Sequence, residues 1–105
     1  MKAGNLFKDA GAPDHGERFD TLLKLGRLHI ERIVSSADIA PKVYVQDQDE
    51  WVLLVQGEAT LEIGGAPHEL AAGDHLFLPA GTPHQVLRTS AGAMWLAVHL
   101  HPEGA

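Results

Sequence analysis

The chain has 105 residues, with eight Lys and Arg against fourteen Asp and Glu, a formal charge of −6, seven histidines and no cysteine. That length suits one domain with its own core, and the missing cysteine excludes disulfides, thiolate metal sites and thiol nucleophiles. Scattered basic residues exclude a nucleic-acid footprint, no apolar run is long enough to span a bilayer, and without a secretory signal after Met1 the cytosol is the expected compartment.

Residues 1–26 read as an N-terminal arm and loop. Gly4, Gly11 and Pro13 interrupt the arm, and Leu6-Phe7 is a candidate edge strand or an element exchanged with a partner. From Gly16 to Leu25 the apolar residues Phe19, Leu22, Leu23 and Leu25 fall at roughly helical spacing, so one helical turn competes with a loop. Arg27 to Ser36 alternates. Leu28, Ile30, Arg32 and Val34 share one face, and Arg27, His29, Glu31 and Ile33 the other. Further strands are predicted at 42–46, 51–56 and 58–63, the last two separated only by Gly57. Gly64-Gly65 then marks a hairpin. Short strands follow at 68–70, 75–78, 84–89 and 94–101, with Pro79 to Pro83 confined to a loop. About nine short strands with Gly and Pro punctuation, and almost no helix, predict an all-β sandwich, barrel or jelly roll.

Two spacings coincide in this chain. Gly73 is followed after five residues by Pro79, then after one by Gly81 and after two by His84. Upstream, Glu50 precedes Gly57 by six intervening residues, with Tyr44 and Gln46 ahead of it. Over roughly residues 27–101 the pattern resembles the cupin superfamily, whose first motif would place histidines where Tyr44 and Gln46 stand, and whose second would place Asn at Arg88. The resemblance implies a double-stranded β-helix jelly roll in a single domain spanning 1–105, with the barrel at 27–101. It also implies a homodimer and a divalent metal in the barrel.

Carried over position by position, the metal ligands implied by the resemblance are Tyr44, Gln46, Glu50 and His84. Only Glu50 and His84 are of the usual ligand types; imidazole and carboxylate suit Fe, Mn, Ni, Zn or Cu, whereas amide and phenol oxygens bind such metals weakly. Two readings therefore stay open. In one, Gln46, a water or another histidine completes a metal site. In the other, Gln46, Glu50 and His84 hydrogen-bond one another in a polar pocket without metal. His99 shares parity with Trp95 and Ala97, so it is either a replacement ligand in the lumen or a packed, hydrogen-bonded histidine. Arg88 shares the face of His84 and joins the pocket unless a bulge intervenes. Trp51 has the opposite parity to Glu50 and is expected to face away from the lumen. The functions these residues allow are a small-molecule-binding metalloprotein, a metal-free sugar isomerase or epimerase with His84 as base and Tyr44 as acid, and a non-enzymatic metabolite sensor. A small-molecule ligand is common to all three; nucleic acid and membrane partners are not expected.

Overall fold

A computed structural model describes residues 1–104. Eight strands are present: β1 Glu17–Leu25, β2 Leu28–Ser35, β3 Asp49–Gln56, β4 Glu58–Ile63, β5 Ala66–Ala71, β6 His75–Leu78, β7 His84–Thr89 and β8 Ala93–Leu100. They form two antiparallel sheets, one of five strands ordered β1-β2-β8-β3-β6 and one of three ordered β5-β4-β7. The architecture is all-β, as the alternation predicts, and of the available arrangements it is the jelly roll that the resemblance implies. No helix among the described residues is long and apolar enough to cross a membrane.

The two-residue period decides which side chains meet between the sheets. Val52 and Leu54 of β3, Ala59 and Leu61 of β4, and Trp95 and Ala97 of β8 belong to one buried cluster. Glu50 shares parity with Val52 and Leu54 and is buried with them, 7% exposed. Trp51 faces the other way, as expected, and its ring lies 5.6 Å from that of His75 on the outer face of the large sheet.

Gly57 alone connects β3 to β4, carrying the chain from one sheet to the other with φ of 89°. Gly64 and Gly65 form the two-residue hairpin between β4 and β5, both at positive φ, which is the backbone twist such turns require.

Three expectations need correcting. Residues 17–25 are no loop or helical turn; they form β1, paired with β2 from Glu17↔Ser35 to Leu25↔Leu28. A bulge between Thr21 and Leu23 inserts one residue, which breaks the alternation and leaves apolar residues at a spacing that imitates a helix. Residues 42–46 are no strand; Tyr44 makes only an isolated bridge with His84. Leu6-Phe7 is no edge strand either. That stretch is a turn held over the outer face of β2 by Arg32, whose Nη1 donates to the carbonyls of Leu6 (2.8 Å) and Lys8 (2.7 Å).

Candidate functional site

Between the sheets lies a cavity of about 120 Å³. Its polar lining is Glu17, Glu31, Gln46, Glu50, His84 and His99, set against the aromatic rings of Phe19, Tyr44 and Trp95. Strand register places most of them. Glu17 and Phe19 of β1 pair with Ser35 and Ile33 of β2, Ile33 pairs onward with Trp95 of β8, and Glu50 of β3 sits opposite His99. Directly paired residues share a face, so these side chains all point between the sheets.

Tyr44 and Gln46 reach the cavity without a strand. Tyr44 exchanges both backbone hydrogen bonds with His84 (2.8 and 3.0 Å), and the Gln46 carbonyl accepts from Gly81 N–H at 2.7 Å. Asp49 adds a third tie, its Oδ1 accepting from Ala80 N–H at 2.9 Å. The two motif halves are thereby bound together, and Asp49 anchors the Pro79–Pro83 loop. His84 Nδ1 is 3.0 Å from the Thr82 carbonyl. A carbonyl only accepts, so Nδ1 carries the hydrogen and the neutral ring keeps Nε2 as its free acceptor.

The floor of the cavity is a hydrogen-bonded array. His99 Nε2 donates to Glu31 Oε1 at 2.9 Å, and its Nδ1 lies 3.4 Å from Gln48 Nε2 and 3.8 Å from Glu50 Oε1. Gln46 Nε2 donates to Glu50 Oε1 at 2.9 Å. Beside them, Ser35 Oγ donates to Glu17 Oε2 at 2.6 Å and accepts from Trp95 Nε1 at 3.2 Å. Burial pushes the Glu17 carboxyl above its ordinary value; the Ser35 hydroxyl pulls it back partway, and the charges of Glu31 and Glu50 add to the rise. Burial works against a charge on His99, but the hydrogen bond to Glu31 and the charges of Glu50 and Glu31 outweigh it, so its pKa is raised. Both shifts report the same condition: negative charge gathered where water is scarce.

The sequence matches the family model of the cupin domain over residues 33–100, well over half of the chain. The chain belongs to the cupin family. A Ralstonia eutropha protein provisionally described as a mannose-6-phosphate isomerase shares 38% identity with this cupin, covers 97% of it and 100% of its own chain, and superposes with a TM-score of 0.85. The TT1209 protein from Thermus thermophilus shares 27% identity with a TM-score of 0.84, covering 97% and 100%. An RmlC-like cupin from Shewanella frigidimarina, at 19% identity, a TM-score of 0.76 and coverage of 85% and 79%, shares the fold. No curated protein matches the chain.

Against the four metal positions of the family this cupin is a poor fit. Among the described residues, no three His, Asp or Glu side chains stand close enough to hold one ion. Gln46 turns its amide N–H₂ toward Glu50, and a donor facing a carboxylate is not presenting its oxygen to a cation. Tyr44 is half exposed, its ring 6.1 Å from that of His84.

The structure brings Tyr44, Gln46, Glu50, His84 and His99 to one cavity. Arg88 is not among them. Leu87 is an extra residue in β7, so Thr60 pairs with Arg88 while Leu61 pairs with Val86. This bulge turns Arg88 outward, where it is exposed, and Thr89 inward, where it is buried. Glu17 and Glu31 escaped the sequence reading. Glu17 lay in the stretch taken for a loop, and Glu31 lay on the more polar face of β2, which an ordinary strand turns to solvent. The clue was on the opposite face, where apolar Ile30 and Val34 flank Arg32. His29 and His101 stand with their rings 5.6 and 6.2 Å from that of His99.

Proposed function

We propose that this cupin binds a small molecule in the cavity between its sheets and acts there by acid–base chemistry of its own side chains. The observation behind this reading is the Glu31–His99–Glu50 array, buried at the floor of a cavity with an apolar wall. Low local dielectric strengthens each of its hydrogen bonds. Glu31 fixes the ring of His99, and His99 Nδ1 faces Glu50 and the cavity as the group that holds or hands over a proton. His84 offers Nε2 as an acceptor on the opposite wall, with the Tyr44 phenol beside it. That keeps His84 and Tyr44 in the acid–base roles the sequence suggested and adds His99 and Glu50 to them.

A thermal-shift screen of neutral sugars, polyols, amines and small acids tests the assignment. A ligand at about 100 times its Kd stabilises the fold by ~2.7 kcal/mol, roughly 10 °C or more for a domain of this size. The shift is expected to persist in EDTA and to collapse in Glu50→Gln and His99→Gln. A hit whose shift is unchanged in both variants would place the ligand elsewhere. One that vanishes with EDTA and returns with added metal would restore the metal reading.

A further inference from the structure

Each of the three carboxylates in the cavity spends one oxygen on the protein and keeps the other. Glu17 Oε2 is taken by Ser35, Glu31 Oε1 by His99 and Glu50 Oε1 by Gln46. Among the described residues, the second oxygens of Glu17 and Glu50 have no hydrogen-bond partner, and that of Glu31 has only His29 Nε2 at 4.0 Å. No buried side-chain oxygen of the described residues is sealed off without a partner, so all three remain reachable from the cavity. The compensating charge is scarce. Among the described residues no Lys or Arg lines the cavity; Lys24, opposite His29 at the far end of β1, is exposed and outside the lining. His99 can balance one carboxylate. Carboxylates taken out of water need a partner of opposite charge or a proton.

The missing charge has a recognisable shape. No three ligand-type side chains of the described residues are near enough for a single ion, so a bare metal cation does not fit. The rings of Phe19, Tyr44 and Trp95 line the same cavity, and aromatic rings attract organic ammonium groups. The volume of about 120 Å³ is below the usual range for ligand pockets and close to the engineered cavity of about 150 Å³ that accepts benzene. Resting on the proposed ligand site, we infer that the cavity selects a small organic cation, a primary amine or quaternary ammonium compound, over neutral and phosphorylated molecules. The phosphate dianion of a substrate such as mannose-6-phosphate would face three carboxylates and no fixed cation, so the description given to the Ralstonia relative does not transfer to this lining.

The test is calorimetric or NMR titration of the full chain with tetramethylammonium, ethanolamine and choline. Two controls accompany them: the uncharged analogue of choline with carbon in place of nitrogen, and mannose-6-phosphate. At least one cation is expected to bind, about tenfold or more tighter than its uncharged analogue, with no binding of the sugar phosphate. Glu17→Gln, close in shape to the native side chain, is expected to weaken the cation about tenfold. Equal affinity for the uncharged analogue, or binding of the sugar phosphate, would overturn the cation inference. If Glu50→Gln weakened that binding, the cavity would still be the ligand site. Silence from all three cations also overturns the inference, and the site then stands or falls on the wider screen. The matched ligand pair needs no variant, so the result does not depend on Glu17→Gln folding normally.

Discussion

A side chain added at Gly57 would meet the tightest surroundings of any glycine described in the protein. A Cβ there would lie 2.7 Å from Ser90 Oγ and 2.9 Å from Ala93 Cα, on a backbone with φ of 89°. Backbone strain and overpacking together predict that Gly57→Ala costs about 3 kcal/mol, a fall in Tm of roughly 10–25 °C. Gly64→Ala, with φ of 56° and nothing within 4 Å, is expected to cost only about 1 kcal/mol. Thermal unfolding of the two variants side by side checks the contrast, and equal losses would show that crowding at Gly57 contributes nothing. At this scale the sequence was informative wherever spacing carried the signal: Glu50 and His84 were found through the glycines and proline around them. Glu31 was hidden because a binding site inverts the usual rule. Its polar side chain faces the lumen, while the opposite face of β2 is covered by the N-terminal turn.

Among the elements, β1 and that turn were the hardest to read. Alternation identified β2, β3, β4, β7 and β8, but the bulge in β1 erased its own period, and Leu6-Phe7 looked like a strand for want of the arginine that holds it. Arg32, 7% exposed, bonds to Asp20 Oδ2 through Nε (3.1 Å) and Nη2 (2.8 Å) as well as to the Leu6 and Lys8 carbonyls. Arg18 adds bonds to the Gly11 carbonyl at 2.9 Å and to that of Asp9. A lysine at position 32 presents one point charge where this fork meets several acceptors. Arg32→Lys is therefore expected to cost about 2 kcal/mol and to loosen residues 6–9. Trypsin should cut after Lys8 much faster in the variant and after Lys2 at the same rate in both. Unchanged cleavage at Lys8 would mean that Arg32 does not hold the turn.

For the molecule as a whole, the buried charges predict how stability varies with pH. Glu17 has a raised folded pKa, so its contribution is complete below its ordinary value of 4.5 and is lost as pH climbs through the folded value. His99 follows the same sign from its ordinary 6.5 upward. Asp20 runs the other way. Hydrogen bonds from Arg32 and then Arg18 lower its pKa from 3.8, so its contribution holds above that value and is lost as pH falls through the lower folded one. Thermal stability is thus expected to be greatest in mild acid and to decline toward about pH 9, with Glu17→Gln flattening the lower part of the decline and His99→Gln the upper. A profile rising from about pH 5 to pH 9 would contradict the charge arrangement described for the cavity.

The extra residue in β7 decides which charges the cavity can hold. Leu87 occupies a step of the strand without a partner on β4, and every residue after it is moved out of the phase that His84 and Val86 began. Were Leu87 to take its turn in the alternation, Arg88 would share the face of His84 and Val86 and turn a fixed positive charge toward the cavity side. One unpaired leucine thus keeps the lumen acidic without touching any side chain that lines it.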